Sequence, residues 1–318
     1  IKMSNKLTRK QFLKGTTALA ASPWLPRIAR AEARKLRMAE VAPGLFVHQG
    51  VHELVSPSNA GDISNLSLII GRDALAVVDT GGSAAIGRGF LAAIRAISDK
   101  PIRYVINTHM HPDHVFGNAP FVAEKATFVA HHKMARGLAA RADTYLRNNL
   151  RLIGEEAFAG SEIVLPTEPV TEPRNIDLGE RVITLVPRPT AHTDNDMTIL
   201  DKSTGTLIAG DLLFSGHIPT LDGSIVGWLA LIEVLRKEEA ARVVPGHGPA
   251  SMPWPDSLDP MERYLRSIAD DVRAMIKENK TLSEATKTAG ASEKDKWLLA
   301  DEFHVRNVTA AFAELEWE

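Results

Sequence analysis

The chain has 318 residues, of which 44% are hydrophobic and 24% charged, and its formal net charge is −2. This length can bury a sizeable core, and the balanced charge gives no electrostatic basis for binding nucleic acid. There is no cysteine, which excludes disulfides and thiolate metal ligands. Since no apolar run approaches the roughly twenty residues that cross a bilayer, we expect no stable membrane insertion and a small-molecule substrate.

The N-terminal segment has the order of an export signal: a basic stretch at 8–14, a weak apolar run at 15–25 and small-x-small sequences ending at Ala31 and Ala33. Residues 1–33 resemble a twin-arginine signal, with Lys10 where the second arginine is usual. This resemblance predicts export to the periplasm, with cleavage at Ala31 or Ala33 and one domain over residues 34–318. Residues 1–2 precede the first methionine, which is compatible with an addition upstream of the natural start.

Aliphatic and β-branched runs predict strands at the start of this domain, over Gly44–His48, Leu66–Ile70 and Ala74–Asp79. The intervening segment His52–Asn65 contains proline, glycine and small polar residues, so we expect a flexible flap. Apolar residues at helical spacing predict a helix over Ala84–Ser98. Strands that alternate with covering helices predict a layered α/β domain.

The segment His109–His114, with sequence His-Met-His-Pro-Asp-His, follows the strand-like run Tyr104–Asn107 directly. Imidazole nitrogen is the commonest protein ligand for zinc-like ions, and a neighbouring carboxylate suits a second divalent ion. In an extended loop the first two histidines can reach one ion, while Asp113 and His114 reach a neighbouring point. The segment therefore predicts a site for two metals.

Further ligand-type residues follow three more strand-like runs: His192 after Val182–Val186, Asp211 after Thr206–Gly210 and His247 after Ala241–Pro245. Loops at strand ends commonly carry active-site groups, so we predict that these three residues complete the site. Helical patterns then predict a helical insert over about 133–158 that caps the site, and C-terminal helices over about 260–318, among them Pro260–Asn279 and Val305–Trp317.

Together with Asp79 in Val-Val-Asp-Thr-Gly, these motifs resemble those of the metallo-β-lactamase superfamily over about 41–249. The resemblance implies a four-layer αβ/βα sandwich of two mixed sheets flanked by helices, with two Zn²⁺ ions at one edge. It also implies two groups of ligands and a bridging carboxylate: His109, His111 and His192; Asp113, His114 and His247; and Asp211 between them. An aspartate at position 211 resembles the glyoxalase-II branch, and the absence of cysteine excludes the zinc-thiolate β-lactamases.

Three further segments resemble the quinoprotein relay system zinc metallohydrolases, which have relatives in sulfur-oxidation clusters: Ala191–Asp196, Ile218–Gly223 with Gly227 and Trp228, and Arg306–Trp317. This narrower resemblance implies an exported protein with a functional link to a periplasmic quinoprotein or sulfur-oxidation system.

Two divalent ions can activate a water for attack on a carbonyl carbon, so we predict a hydrolase of a small ester, thioester or related acyl substrate. Asp113 is expected to be a ligand and also the catalytic acceptor of the proton that this water loses. The remaining candidates fall into three roles: Asp79 and Asp196 as supports of the ligands, His52 and His217 in the substrate pocket, and His48, His131, His132 and His304 as structural or surface groups.

Other functions remain open at this point. A β-lactamase or lactonase would use the same water chemistry. An iron-dependent sulfur dioxygenase or other redox enzyme would hold Fe, or mixed Fe and Zn, although the complete second ligand group disfavours a mononuclear dioxygenase. A periplasmic metal carrier or inert redox partner is disfavoured because no ligand position is missing.

Overall fold

The computed structural model describes residues 35–318, so the predicted export signal lies outside the described residues. Within them, one mixed sheet has its strands in chain order: β1 (Ala39–Ala42), β2 (Leu45–His48), β3 (Leu66–Ile70), β4 (Leu75–Val78), β5 (Ile102–Ile106), β6 (Thr127–His131) and β7 (Glu168–Val170). Neighbours are antiparallel from β1 to β4 and parallel from β4 to β7.

The second sheet of the described region also follows chain order: β8 (Arg174–Asp177), β9 (Val182–Pro187), β10 (Met197–Asp201), β11 (Thr206–Phe214), β12 (Arg242–His247) and β13 (Met252–Pro253). Only β11 and β12 pair in parallel. Every residue of β11 is buried, as expected for a central strand covered on both faces. Its successive side chains alternate, because Leu207 and Ala209 pack towards helices while Ile208 packs between the sheets.

Helices cover the outer faces of both sheets. In residues 35–318 they are α1 (Ala84–Ile97), α2 (Pro112–Val115), α3 (Met134–Ile153), α4 (Glu155–Phe158), α5 (Ile225–Leu235), α6 (Asp259–Lys277), α7 (Leu282–Thr288), α8 (Ala291–Lys294) and α9 (Ala300–Leu315), with 3-10 helices at Phe116–Glu124 and Asp256–Leu258. Ser83 begins α1 by accepting a hydrogen bond from the Ile86 amide, and the fully buried Phe90 and Ile94 follow at helical spacing.

Three of the four apolar clusters in the described residues fill the spaces between these layers. One lies between the sheets and includes Ile69 and Ile199; a second joins the first sheet to α1 through Phe90. The third joins the second sheet to α5, α6 and α9, with Trp228 and Tyr264 fully buried. The predicted four-layer sandwich of two mixed sheets and flanking helices is therefore confirmed.

Several predicted boundaries differ from the structure. The helical pattern over 133–158 is divided at Gly154, whose φ of 89° no helical residue adopts. The last helix begins at Ala300 and not at Val305. The strand predicted to end at Gly210 continues as β11 to Phe214, so Asp211 lies within a strand, and His247 is the last residue of β12.

The extension of β11 past Gly210 depends on local backbone geometry. Gly210 has φ of 54°, and a Cβ there would approach the Thr108 side chain to 2.6 Å. The register between β11 and β12 shifts on both sides of Gly210, as at a β-bulge. A glycine after an apolar run usually predicts the end of a strand, whereas here it marks an irregularity that places Asp211 beside the β5 loop.

Among the described residues, no helix combines the length and the apolar character that crossing a bilayer requires.

Candidate metal centre

Four chain segments converge at one edge of the sandwich. The loop after β5 carries His109 and His111 and runs into α2, whose first residue is Pro112, a position that proline favours. His192 lies in the loop between β9 and β10, and Asp211 and His247 lie in the neighbouring strands β11 and β12. The structure therefore brings together residues that are up to 138 positions apart in sequence, from 109 to 247.

The seven predicted ligands form two adjacent groups. One comprises His109, His111, His192 and Asp211, and the other Asp113, His114 and His247; in each group the ligand atoms lie within 4.8 Å of one another. Asp211 connects the groups, because its Oδ1 lies 3.1 Å from His114 Nε2 while its Oδ2 lies 3.4 Å from both His192 Nε2 and His247 Nε2. This is the position expected of a bridging carboxylate.

Hydrogen bonds to the protein orient the histidine rings. Nδ1 of His192 donates to the Thr220 carbonyl at 2.7 Å, and Nδ1 of His247 donates to the Ile63 carbonyl at 2.8 Å. In a neutral imidazole the other nitrogen then carries the lone pair. That nitrogen, Nε2, faces Asp211 in both residues, so these tautomers present metal-binding atoms to the centre.

Carboxylates orient two further rings. Nδ1 of His114 lies 2.8 Å from Asp79 Oδ2, which leaves Nε2 facing inward. His111 has the opposite orientation, since its Nε2 lies 3.1 Å from Asp222 Oδ2 and its Nδ1 faces His192 at 2.9 Å. Such outer partners fix ring orientation and raise ligand basicity.

Buried polar atoms at the centre lack hydrogen-bond partners. Nε2 of His109, Nε2 of His114 and Oδ1 of Asp211 are all buried and make no hydrogen bond, although the last two atoms lie 3.1 Å apart. An unsatisfied buried group of this kind costs about 1–3 kcal/mol. Divalent cations would coordinate these atoms, and imidazole and carboxylate are ligands that zinc accepts. The residues present therefore fit metal ions.

The charges around the centre favour a cation as well. Burial raises the pKa of the Asp211 carboxyl, but the charges of His247, His114 and His109 outweigh it and hold this pKa well below its usual range. Burial lowers the pKa of His192 to about 3, so this ring is neutral, as a ligand must be. At His114, burial lowers the pKa, yet Asp211, Asp113 and Asp79 together raise it well above its usual value, which shows how strongly these carboxylates favour positive charge at that point.

Asp79 and Asp196 are the two residues predicted to support the ligands. Asp79 contacts the ligand His114 directly, whereas Asp196 stabilises the loop that carries His192. Asp79 also accepts from the Thr108 amide at 2.9 Å, beside His109. Asp196 accepts from the Thr193 amide at 2.9 Å and bonds its hydroxyl at 2.6 Å, which closes the loop that carries His192. Burial raises the pKa of Asp196 to about 8.

Sequence reasoning missed Asp222, the partner of His111. Burial raises the pKa of Asp222, but the hydrogen bond and charge of His111 and the charge of Arg141 lower it overall. Asp222 lies within Ile218–Gly223, one of the segments that resemble the quinoprotein relay system zinc metallohydrolases, so the sequence did mark this region. Its contact with His111, 111 positions earlier, depends on how this loop folds.

Helix α9 braces this loop. Nδ2 of Asn307 donates to the Pro219 carbonyl at 2.7 Å, and its Oδ1 accepts from the Leu221 amide at 2.9 Å. Both contacts flank Thr220, whose carbonyl orients His192. The Glu314 carboxylate accepts from the Ile225 amide at 2.7 Å at the start of α5, so the C-terminal helix supports the metal centre from outside.

One glycine is required by close packing at the centre. A Cβ at Gly246 would lie 1.9 Å from Asp211 Oδ1 and 2.7 Å from the Gly210 carbonyl carbon. No side chain fits there without moving Asp211 or the backbone of β11.

A cavity of about 400 Å³ opens onto the metal centre. The ligand residues His111, Asp113, Asp211 and His247 line it. His217 also lines the cavity, and burial lowers the pKa of this histidine to about 4. His52 is not among the lining residues; its ring packs against Gly216 instead.

The remaining candidates have structural contacts in residues 35–318. His48 bonds Asp62 at 2.7 Å, His304 bonds the Tyr264 hydroxyl at 3.0 Å and the Ala289 carbonyl at 2.9 Å, and His131 stacks on His132.

Comparisons with known proteins agree with this geometry. A family model described as the Metallo-beta-lactamase superfamily matches residues 60–247, a range that contains all seven candidate ligands. The chain is 49% identical over 53 residues to a linear primary-alkylsulfatase of Pseudomonas sp. (strain ATCC 19151) and 32% identical over 126 residues to the uncharacterised protein YobT of Bacillus subtilis (strain 168). These alignments cover 17% and 39% of this chain, but 10% of the alkylsulfatase and 51% of YobT, so the chain spans about half or less of these relatives.

Solved structures share the fold. The structure of TMB-1 aligns with a TM-score of 0.56 at 18% identity, over 73% of this chain and 98% of that one. A metallo-beta-lactamase from Pontibacter korlensis aligns with a TM-score of 0.59 at 17% identity, over 73% of this chain and 99% of that one.

Proposed function

Since the chain belongs to the metallo-beta-lactamase superfamily, we propose that it is a metal-dependent hydrolase that uses two zinc ions to hydrolyse a small ester, thioester or related acyl substrate. The observation that carries this proposal is the pair of ligand groups joined by Asp211 at the floor of a cavity. The cavity of about 400 Å³ lies in the usual range for small-molecule sites.

One ion would be held by His109, His111 and His192. The other would be held by Asp113, His114 and His247, and Asp211 would be a ligand of both. When bound, the metals supply Lewis acidity that lowers the pKa of water and polarises a carbonyl oxygen. The chain itself supplies the orientation of each ligand, through the Thr220 and Ile63 carbonyls and the carboxylates of Asp79 and Asp222.

Asp113 is the proposed acceptor of the proton that the attacking water loses. Burial raises its pKa, but His114 and His247 outweigh burial and hold the pKa well below the usual range, so the carboxylate is charged. Its side chain lines the cavity and is 15% exposed, so it can pass the proton on to the leaving group or to solvent.

A second candidate is hydrolysis of a sulfate ester, which the 49% identity over 53 residues with a linear primary-alkylsulfatase supports. The same ligand groups could also support the hydrolysis of β-lactams and lactones, which are carbonyl substrates too. A mononuclear iron-dependent dioxygenase is not favoured, because both ligand groups are complete.

The proposed setting is the periplasm, reached through a twin-arginine-like signal. The motifs in Ala191–Asp196, Ile218–Gly223 and Arg306–Trp317 support a place among the quinoprotein relay system zinc metallohydrolases and a functional link to a periplasmic quinoprotein or sulfur-oxidation system. Cell fractionation of the native chain and of an Arg9→Lys variant tests export: retention of the variant in the cytoplasm supports it, and identical distribution contradicts it.

Turnover of a panel of carboxylic esters, thioesters, β-lactams, lactones and alkyl sulfates tests the activity. His111→Ala and His192→Ala should each lower bound metal from two ions to one and abolish most turnover. His132→Ala, at an exposed position outside the cavity, should change neither. Zinc-loaded protein that turns over no member of the panel would contradict the hydrolase.

A further inference from the structure

Two arginines line the cavity and come from helices that the metal ligands do not use. Arg141 lies on α3 and Arg306 on α9. On α3, Arg141 shares the cavity-lining stripe with Tyr145, Asn148 and Leu152, at the spacing of one helix face. Each of the two helices therefore contributes side chains to the lining of the cavity.

The two guanidinium groups are weakly engaged by the protein. Nη2 of Arg141 lies 3.9 Å from Asp222, a carboxylate that already accepts a hydrogen bond from His111 at 3.1 Å. In the described part of the chain, Nη1 of Arg141 contacts only the weak acceptor Met110 Sδ, at 3.7 Å. Arg306 lies over the Phe303 ring at 5.9 Å and makes no salt bridge with any residue in 35–318. Most of their N–H donors are therefore available to a ligand.

Of the carboxylates that line the cavity, only Asp222 comes close to one of these arginines, at 3.9 Å from Arg141 Nη2. Asp113, Asp211 and Asp222 each face histidines of the ligand groups. Bound divalent cations would offset the first two further. The two guanidinium groups thus keep positive charge in the cavity. This charge suits oxyanions, because guanidinium presents a planar fork of donors to carboxylate, sulfate or phosphate.

Apolar side chains line the cavity as well. Val55, Leu152 and Phe303 line the same cavity and offer contacts to a short hydrocarbon segment. A substrate with an anionic group, a short hydrocarbon segment and a scissile bond would find a matching group for each part among these lining residues.

We propose that Arg141 and Arg306 form an anion-binding subsite that holds an oxyanion group of the substrate. The proposal rests on the hydrolase function and narrows its substrate class to anionic molecules. Residues from α3 and α9 then determine specificity, while the ligand loops determine the chemistry.

A matched pair of esters tests the preference: mono-4-nitrophenyl glutarate, which carries a remote carboxylate, and the neutral 4-nitrophenyl butyrate. With zinc-loaded enzyme, kcat/KM for the glutarate ester relative to the butyrate should fall about tenfold or more in Arg141→Gln and in Arg306→Gln, the loss expected for one charge-assisted hydrogen bond. Lysine at either position should restore part of the ratio. Arg147→Gln, on an exposed turn of α3 outside the cavity lining, should leave both rates unchanged.

Calorimetric titration gives a second readout that needs no turnover. Glutarate and inorganic sulfate are titrated into the wild type and into the Arg141→Gln, Arg306→Gln double variant, both with the same metal content, and neutral glutaramide serves as the control. Binding at least tenfold weaker in the double variant supports the subsite, and the tighter of the two anions identifies the oxyanion as carboxylate or sulfate. Equal affinity in the two proteins would mean that the metals alone bind anions and would overturn the proposal.

The two experiments separate this proposal from the hydrolase itself. If no member of the substrate panel is hydrolysed but glutarate binding depends on the arginines, the hydrolase fails and the subsite stands. If both esters are hydrolysed with a ratio that the arginine variants leave unchanged, the hydrolase stands and the subsite is wrong.

Discussion

The orientation of four of the five ligand rings is set by one hydrogen bond on the outer side of the ring. His192 and His247 donate to backbone carbonyls, whereas His114 and His111 face the carboxylates of Asp79 and Asp222. A backbone carbonyl gives no sequence signal, because any residue supplies one. The ligands could therefore be predicted from sequence, while most of the groups that orient them could not.

Removing the Asp222 carboxylate should weaken metal binding. Asp222→Ala leaves His111 Nε2 without its partner, so zinc affinity should fall roughly 10–100-fold, the usual effect of losing an outer ligand partner. Competition with a chelator of known affinity measures this. Asp222→Asn, which can still accept the hydrogen bond, should recover part of the affinity, and Asp270→Ala on the exposed side of α6 should have no effect. Unchanged affinity in Asp222→Ala would rule out the orienting role.

The ion pair between His48 and Asp62 should make stability depend on pH. Burial lowers the pKa of His48, but the hydrogen bond and charge of Asp62 and the Arg37 carbonyl outweigh it and raise this pKa overall. A raised histidine pKa stabilises the folded state fully below the unfolded pKa of about 6.5, and the contribution is lost as the pH rises through the folded value.

The free energy of unfolding lost in His48→Gln should therefore be about 1 kcal/mol larger near pH 5.5 than near pH 9. Urea unfolding of the wild type and the variant at both pH values measures it. In an Asp62→Asn background the pH dependence of this loss should disappear. A loss of the same size at both pH values would exclude the ion pair as its source.

At the scale of elements, the C-terminal helix connects stability to the metal centre. Asn307 of α9 is buried and bonds the Pro219 carbonyl and the Leu221 amide. The sequence predicted a last helix but not this role, because the contact joins segments 86 residues apart. The end of strand β11 could not be predicted from sequence either. Its continuation past Gly210 depends on the positive φ of this glycine and on its close approach to Thr108.

Asn307→Ala should lower the free energy of unfolding by about 2 kcal/mol or more, because it leaves a buried amide and a buried carbonyl unpaired. It should also weaken zinc binding, through displacement of the Thr220 carbonyl from His192. Denaturant unfolding and zinc competition measure the two effects. Thr309→Ala, at an exposed position of the same helix, should change neither, and normal zinc affinity in a destabilised Asn307→Ala would limit α9 to a purely structural role.

At the scale of the whole molecule, the layered architecture follows from sequence patterns that local physics dictates. Alternating strands and amphipathic helices predicted a layered α/β domain, and the resemblance to the superfamily implied its four layers. The segment His109–His114 predicted the position of the metal centre. The lining of the cavity could not be predicted in this way, because residues as far apart in sequence as Arg141 and Arg306, 165 positions, contribute to it from different helices.

The proposed function requires that seven side chains hold two divalent ions. The most direct test is elemental analysis of metal-free protein after dialysis against zinc and removal of excess metal. The ligand geometry predicts two zinc ions per chain in the wild type and one in His192→Ala. One ion or none in the wild type would contradict the binuclear centre and the function proposed from it.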